Sequence, residues 1–314
     1  MEKDYGHKPV LLEECLEALA IRPEGVYVDG TLGRAGHSQA ILRRLTTGRL
    51  IGIDRDLTAI DAARERLADF GDRVTLVHGN FSDLGDILQN LGIVGVDGML
   101  FDLGVSSPQL DEPQRGFSYM HDAPLDMRMD RTASLDAGAV VNTWSYEELR
   151  RILFAYGEER YAPQIARAIV RRREDRPIRT TGELAEIIRS AMPPKALREK
   201  QHPAKRSFQA IRIAVNGELD ALPPMLEAAV DHLVPGGRLA VITFHSLEDR
   251  AVKQKLRELS TGCTCPPEFP VCVCGKKPKL KLVTRKPVLS GPAELEENPR
   301  ARSAKLRAAE RTEW

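Results

Sequence analysis

The sequence predicts an α/β protein built on a doubly wound parallel sheet, with a mainly helical insertion. Short apolar strands alternate with helices over roughly the first hundred residues, which is typical of a parallel sheet with helices on both faces. The alternation stops near Gln109 and resumes after about Ile211. A glycine-rich turn after the first strand and an acidic residue at the end of the second strand indicate a nucleotide-cofactor site.

The first part of the sheet has four predicted strands, recognised as short apolar runs. They are Val26–Asp29, Leu50–Asp54, Val74–His78 and Val96–Asp102. The helices predicted between them are Ser38–Leu45, about Leu57–Phe70, and Leu84–Leu91.

The clearest predicted helices of the insertion are Ser145–Tyr156, Gln164–Arg173 and Gly182–Ala191. The βα pattern then returns with a helix over 218–233, a strand over 238–244 after the turn at 235–237, and a helix over 247–259. We therefore expect a discontinuous domain of residues 1–108 and 213–314 around an inserted domain of residues 109–212. An insertion of this kind belongs near the carboxyl edge of the sheet, as a substrate arm or as a purely stabilising appendage. The polar stretch 291–314 is predicted to be a partly disordered tail.

The glycine loop indicates which cofactor binds. Its glycines are Gly30, Gly33 and Gly36, preceded directly by Asp29. The dinucleotide fingerprint, G-x-G-x-x-G, instead brings helix amides against a pyrophosphate, which a carboxylate at Asp29 would repel. S-adenosylmethionine carries a sulfonium and an ammonium and no phosphate, so the loop favours a methyltransferase over a nicotinamide or flavin enzyme. Asp54 is placed to accept hydrogen bonds from both ribose hydroxyls.

Composition restricts the class of protein. The chain of 314 residues is long enough for one large and one smaller domain. It has no apolar run of the ~18 residues expected of a membrane span, and its N-terminus lacks the order of a signal peptide. Five cysteines, an odd number, argue against a secreted disulfide framework. We expect a cytoplasmic protein with reduced thiols.

Charge is segregated along the chain, although the formal net charge is only +1. Residues 150–212 carry 16 Lys and Arg against 7 Asp and Glu, or +9, and residues 250–314 carry 15 against 7, or +8. The rest of the chain carries 15 against 31, or −16. Two separate basic regions indicate a polyanionic substrate, although any single run is also typical of a solvated helix face. The candidate phosphate contacts are Arg160, Arg167, Arg171–Arg173, Lys205, Arg206 and the run Lys276–Lys281.

Four cysteines form two closely spaced pairs, Cys263 with Cys265 and Cys272 with Cys274. They have the composition of a zinc site, but the usual zinc spacing is C-x-x-C. The tighter C-x-C spacing favours a reduced, proline-braced loop, so we assign no metal ligands. Cys15 lies in an apolar helical context and is predicted to be a core residue.

Asp102 ends the fourth strand and is followed by a compact polar turn. Methyl transfer to an exocyclic amine needs an acceptor that hydrogen-bonds the N–H, because the amine lone pair is delocalised into the base. Asp102 has the chemistry of that acceptor. A carboxylate here is also suited to binding the cofactor or to capping the following turn, and for an isolated aspartate at a strand end the cap is the favoured interpretation.

Long motifs of this chain resemble those of the bacterial 16S ribosomal RNA cytosine-N4-methyltransferases. The resemblance covers nearly the whole chain and includes segments in both the sheet and the insertion. The matching segments are 7–14, 29–38, 53–56, 78–81, 101–111, 115–119, 124–130, 207–216 and 244–250. It implies a Rossmann-like class I methyltransferase sheet with an inserted helical domain.

The resemblance also implies roles for individual residues. It places the methionine end and the adenosine of S-adenosylmethionine against Ala35, Gly36 and His37, with Asp54 at the ribose. It puts Phe81 beside the adenine, although Phe81 alone also fits a plain core aromatic, and it completes the pocket with Asp102 and Gln109. Residues 115–119 and 244–246 are implied to line the base pocket. Ala35 stands where relatives often have glycine, which is tolerable only if its φ is negative.

The implied activity is methylation of the N4 amine of a cytidine in 16S ribosomal RNA, at the decoding centre of the small subunit. The resemblance alone distinguishes cytosine N4 from adenine N6. No membrane or DNA partner is expected. Two alternatives stay open: a nicotinamide-dependent oxidoreductase on the same fold, and a non-catalytic RNA-binding assembly factor.

Overall fold

The computed structural model describes residues 9–266, 269, 271 and 273–314. The chain divides into two compact units. Residues 1–104 and 219–314 form the first, which we call the sheet unit, and residues 105–218 form the second, the helical unit.

The sheet unit is built on a seven-stranded sheet in the order β3-β2-β1-β4-β5-β7-β6. The strands are β1 (Val26–Asp29), β2 (Arg49–Asp54), β3 (Val74–His78), β4 (Val96–Asp102), β5 (Leu233–Thr243), β6 (Leu280–Leu282) and β7 (Lys305–Arg311). Neighbouring strands from β3 to β5 are parallel, and β7 is antiparallel to both β5 and β6. The chain builds outward from β1 to β3 and then returns to the other side of β1 with β4, so a crevice is expected beyond the carboxyl ends of β1 and β4.

The helices lie in the connections between the strands and in the insertion. In chain order they are α1 (Leu12–Leu19), α2 (Gly36–Arg44), α3 (Leu57–Arg66), α4 (Leu84–Asn90), α5 (Ser107–Asp111), α6 (Ala137–Thr143), α7 (Tyr146–Gly157), α8 (Ala162–Asp175), α9 (Thr181–Ala191), α10 (Lys205–Asn216), α11 (Leu222–His232), α12 (Ser246–Ser260) and α13 (Pro292–Glu297).

Both faces of the sheet are buried against helices. Successive strand residues point to opposite faces, so Met99 and Phe101 of β4 belong to one core while Leu100 belongs to the other. The first core is completed by α4, α11 and α12, and the second by α1, α2 and α3. Burial on both sides explains why the central strands are continuous apolar runs.

The helical unit has its own apolar core. It is filled from α6 to α10, with Leu149, Ile165, Leu184 and Ile211 fully buried. Capping boxes begin α7 and α9, where Ser145 and Thr180 pair with the glutamates three residues later. Such boxes satisfy amides that the first helical turn leaves without partners.

Most predicted elements of the sheet unit agree closely with the structure. Strands β1, β3 and β4 have the predicted bounds, and β2 begins one residue earlier. The predicted helix over 57–70 ends at Arg66, where a 3-10 turn with Gly71 at φ +55° follows. The helix predicted from 218 begins at Leu222, because its two prolines fit only the first helical turn.

In the last third of the chain, one prediction is refined and one is wrong. The turn predicted at 235–237 lies within the bounds of β5, which begins at Leu233, but it interrupts the pairing. Gly236 has φ +78°, and the register on β4 jumps from Leu233 opposite Val96 to Arg238 opposite Gly98. The predicted disordered tail contains α13 and β7, and β7 lies inside the sheet between β5 and β6. Polar composition was misleading, because the centre of β7 is buried and Arg307 pairs with Asp249, Nε to Oδ1, at 2.7 Å.

Across the ranges that the structure describes, none of the helices has the length and apolar character needed to cross a membrane.

Candidate active site

Three aspartates end three adjacent strands of the sheet unit. Asp29 ends β1, Asp54 ends β2 and Asp102 ends β4. Because these strands are parallel and β1 lies between the other two, the three carboxyl groups reach the same edge of the sheet. This edge is the switch point at which open α/β sheets bind ligands.

The glycine loop between β1 and α2 is fixed by backbone hydrogen bonds to both neighbouring strands. Gly30 N–H donates to Leu100 O at 2.9 Å, and Leu32 N–H donates to Ile53 O at 3.0 Å. A Cβ on Gly30 would lie 2.2 Å from the Phe101 ring, and Gly33 has φ +49°. The loop therefore requires glycine at 30 for close packing and favours it at 33 for a left-handed backbone.

Ala35 caps α2 with φ +57° and is fully buried. The condition stated for this residue, a negative φ, is not met. A side chain in the left-handed region costs roughly 1–2 kcal/mol, so the loop carries local strain at Ala35.

Asp54 is held by two backbone amides. Gly33 N–H donates to Oδ2 and Asp56 N–H donates to Oδ1, both at 2.8 Å. Burial raises the pKa of Asp54 to about 6, although these two hydrogen bonds oppose the shift. A carboxylate accepts about four hydrogen bonds, so Asp54 keeps acceptor capacity for two ribose hydroxyls.

Asp29 acts within the loop itself. Ser38 Oγ donates to Oδ2 at 2.6 Å and Thr31 N–H donates to Oδ1 at 3.2 Å, which fastens the loop to α2. Asp29 is 1% exposed, and burial raises its pKa to about 6. Asp29 would therefore act on a ligand through its negative charge next to the loop, since both of its carboxyl oxygens are bonded within the protein.

Asp102 combines a fixed backbone with an unsatisfied side chain. Its N–H donates to Thr31 Oγ1 at 2.5 Å, and its buried Oδ1 has no hydrogen-bond partner among the described residues. Burial raises the pKa of Asp102 to about 8, with the charges of Asp29 and Glu248 adding to the shift. An unpartnered carboxyl oxygen in a cleft is costly unless a ligand satisfies it.

His37 faces Asp102 as a neutral imidazole. Burial lowers the pKa of His37 to about 4. Because the carbonyl of Val10, 2.9 Å from Nε2, can only accept, Nε2 carries the proton. Nδ1 is therefore an acceptor, and it lies 3.9 Å from Asp102 Oδ2.

Phe81 and Gln109 have well-defined local roles. Phe81 follows β3, is half-buried and packs edge-on against Phe101 with ring centroids 6.1 Å apart. Gln109 belongs to the helical unit, where its Oε1 accepts from Ser106 N–H at 3.0 Å in the capping box of α5. The cofactor contacts implied for both stay predictions.

Sequence reasoning missed Thr31 and Glu248. Thr31 joins the ends of β1 and β4, because its backbone N–H binds Asp29 and its hydroxyl binds Asp102. Glu248 is 2% exposed, accepts from Phe244 N–H at 2.9 Å and raises the pKa of Asp102. The position of Thr31 between the glycines of the loop could have identified it from the sequence. Glu248 could not be identified in this way, because only the fold brings its charge close to Asp102.

The basic residues predicted to contact phosphate divide into two groups. Arg160, Arg167, Arg171 and Lys205 are exposed in the helical unit. Arg173 is partly buried and donates from Nη1 to Val141 O at 2.9 Å, so it has a structural role. In the base-pocket segment 115–119, Arg115 is buried and donates to two backbone carbonyls.

The site as a whole is acidic. Within the part of the chain that the structure describes, neither a lysine nor an arginine is paired with Asp29, Asp54 or Asp102. Three neighbouring carboxyl groups whose pKa values are raised chiefly by burial favour a ligand that brings positive charge and hydrogen-bond donors.

Comparison with known proteins gives a family match over residues 4–312, to the model described as the MraW methylase family. The chain is 60% identical over 97% of its length to the Ribosomal RNA small subunit methyltransferase H of Symbiobacterium thermophilum, covering 96% of that protein. It is 58% identical to the protein of the same name from Brevibacillus brevis, over 98% of each chain. Among solved structures, an rRNA methylase from Streptococcus thermophilus matches with a TM-score of 0.43 and 11% identity, covering 98% of each chain.

Proposed function

Because this chain belongs to the MraW methylase family, we propose that it transfers a methyl group from S-adenosyl-L-methionine to ribosomal RNA of the small subunit. Two relatives that are 60% and 58% identical to it are named Ribosomal RNA small subunit methyltransferase H. The finer proposal is that the acceptor is the N4 amine of a cytidine in 16S ribosomal RNA.

The observation that carries this proposal is the acidic strand-end site. S-adenosylmethionine has a sulfonium and an ammonium, and both are attracted to Asp29, Asp54 and Asp102. A nicotinamide dinucleotide would instead bring two phosphates toward the same three carboxyl groups. Charge at this site therefore favours the methyltransferase over the oxidoreductase.

Individual residues fit a cofactor with a ribose and two cationic centres. Asp54 would accept from the ribose hydroxyls, and the backbone of Ala35, Gly36 and His37 would surround the methionine end. Phe81 would lie beside the adenine, and the cofactor contact implied for Gln109 by the family resemblance stays a prediction. The buried Oδ1 of Asp102, which has no described partner, would be satisfied by a donor on the cofactor or on the acceptor amine.

The cofactor supplies an electrophilic methyl group on positively charged sulfur. In the transfer, the N4 lone pair forms the new C–N bond, the S–C bond breaks, and the amine gives up one proton. Asp102 would accept a hydrogen bond from the N4 amine, which localises the lone pair and aligns it for in-line attack. The product proton would pass to Asp102 in its carboxylate form and then to solvent. Because burial raises the pKa of Asp102 to about 8, the fraction in that form increases as the pH rises through 8.

The RNA substrate agrees with the charge of the helical unit. Its exposed Arg160, Arg167, Arg171 and Lys205 would hold the phosphate backbone, while the reacting base is unstacked into the site. We assign substrate recognition to the inserted domain on this basis.

Nucleoside mass spectrometry of 16S ribosomal RNA tests the activity directly. Cells that lack the protein should lose one N4-methylated cytidine, and the wild-type chain should restore it. An unchanged nucleoside profile would contradict the proposal, and loss of methyladenosine instead would keep the methyltransferase but overturn the N4 assignment.

Calorimetry with purified protein tests the cofactor site. Asp54→Asn should weaken S-adenosylmethionine binding about 10- to 100-fold, because charge-assisted hydrogen bonds to two hydroxyls are weakened (about 1.5–3 kcal/mol). Asp61→Asn is the matched control, since Asp61 is an exposed residue of α3 paired with Arg64. Equal affinities of the two variants would remove Asp54 from the site.

A further inference from the structure

Three cysteine thiols come together in the loop between α12 and β6. The Sγ atoms of Cys263, Cys265 and Cys274 all lie within 4.8 Å of one another, and those of Cys263 and Cys274 are 3.7 Å apart. An S–S bond is only about 2.05 Å long. Four sulfurs about 2.3 Å from a tetrahedral zinc ion are about 3.8 Å from each other. The separation of Cys263 and Cys274 therefore matches that of two ligands sharing a metal, and Cys265 is close enough to be a third.

The backbone of the loop explains how the thiols converge. Cys263 and Cys265 are separated by one residue, and the chain bends at Cys265. Cys265 N–H lies 3.4 Å from Cys263 Sγ, and an amide donor of this kind stabilises a thiolate. Gly275 follows Cys274 with φ +61°, so the chain turns sharply after the third thiol.

The base of the loop is well fastened. Lys279 N–H donates to Leu259 O at 2.9 Å, and Thr312 Oγ1 donates to Pro278 O at 2.6 Å. These bonds join the loop to the end of α12 and to the chain that follows β7.

The apolar side chains that the structure describes in the outer part of the loop are exposed. Phe269, Val271 and Val273 are 50%, 69% and 73% exposed, so their burial contributes little to order. The described residues between α12 and β6 form neither helix nor strand, and a long segment of this kind needs another source of order. A metal ion supplies that order, because its binding free energy becomes folding free energy for the segment it closes.

We propose that Cys263, Cys265 and Cys274 bind a structural zinc ion that holds together the two described ends of the loop, residues 261–266 and 273–279. The sequence has a further thiol, Cys272, which lies outside the described residues. Each coordinating thiol gives up its proton when the metal binds, and no redox step is involved. The C-x-C spacing favours a metal-free loop, but it takes no account of the approach of Cys274 Sγ to 3.7 Å from Cys263 Sγ. This proposal therefore replaces the metal-free interpretation.

Elemental analysis tests the site on the full-length protein, purified under reducing conditions without chelator. We expect about one zinc ion per chain, and loss of most of it in the double variant Cys263→Ser/Cys274→Ser. Thr264→Ala is the matched control, because it changes the residue between two of the cysteines without removing a thiol. Circular dichroism checks that both variants are folded.

Cobalt substitution and alkylation give a second measurement that does not depend on activity. Reduced wild-type protein should bind Co²⁺ with thiolate charge-transfer bands and the strong visible bands of tetrahedral coordination. Its loop thiols should resist alkylation until a chelator is added. Zinc well below one ion per chain together with absent cobalt bands would overturn the proposal, as would a disulfide between Cys263 and Cys274 in protein kept reduced.

Discussion

Asp102 is the residue whose ionisation most strongly connects stability with function. Its folded-state pKa of about 8 lies far above the value of about 3.9 expected in the unfolded chain. The folded protein therefore holds this proton more tightly than the unfolded chain does. It follows that the contribution of Asp102 to stability is greatest below about pH 4 and is lost as the pH rises through 8.

Asp102→Asn should for this reason stabilise the ligand-free protein while it impairs methyl transfer. The amide removes repulsion from Asp29 and Glu248, so we expect a Tm above wild type by about 2–4 °C at pH 9 and a smaller difference at pH 5. Differential scanning calorimetry across this range measures it, with Asp61→Asn as control. A difference that does not change with pH would contradict the ionisation argument.

Ala35 gives a second prediction at the residue scale, because its backbone has φ +57°. Ala35→Gly relieves the left-handed strain but loses a buried methyl group worth about 0.8 kcal/mol, so the free energy of unfolding should change by less than about 1 kcal/mol. Ala63→Gly is the matched control: Ala63 is equally buried but sits within α3. There the same change should destabilise by about 1–2 kcal/mol, as measured by urea denaturation. Equal losses at both positions would show that Ala35 is not strained.

At the scale of elements, strand β7 is an internal strand of the sheet, although its polar sequence predicted a disordered tail. It pairs with β5 over six residues, from Arg238 opposite Glu310 to Thr243 opposite Lys305. It also connects β6 to the sheet. Without β7, the edge of β5 would be unpaired and the apolar side chains on both faces would lose cover.

A chain that ends at Ser303 should therefore fail to fold and should aggregate. A chain that lacks only residues 313 and 314 is the control, because it keeps all of β7. Solubility and the cooperativity of thermal unfolding distinguish the two. Cooperative unfolding of the shorter chain would show that β7 is dispensable.

At the scale of the whole molecule, the proposed cofactor site and the proposed RNA-binding surface carry opposite charge. Acidic residues gather at the strand ends of the sheet unit, where they favour a cationic cofactor. Exposed basic residues gather on the helical unit, where they favour a polyanion. The two kinds of binding should therefore respond differently to salt and to substitution.

The triple variant Arg160→Ala/Arg167→Ala/Arg171→Ala should bind RNA more weakly and with a smaller salt dependence. Each phosphate contact that is lost should reduce the slope of log K against log salt by about 0.7 for a single strand. Cofactor affinity should be unchanged. Arg189→Ala is the control in the same unit, since Arg189 is paired with Glu186 at 2.8 Å. An unaltered slope in the triple variant would exclude these residues from phosphate contact.

The sequence by itself determined the strands that build the site and the class of fold. Val26–Asp29 and Val96–Asp102 had the predicted bounds, because central strands buried on both faces are apolar runs that end at polar residues. Val74–His78 also had the predicted bounds, although it is a partly exposed edge strand. The aspartates at the ends of β1, β2 and β4 were identified in the same way, since parallel strands bring their carboxyl ends to one edge.

Tertiary structure decided what depends on residues far apart in the chain. The place of β7 inside the sheet follows from its pairing with β5, and its polar composition concealed that burial. The raised pKa of Asp102 comes from burial and from charges at Asp29 and Glu248, and the cysteine cluster forms only when Cys274 returns to Cys263. Burial, electrostatic interaction and contact between distant segments all depend on which residues are close in the folded structure. Local sequence patterns do not contain that information.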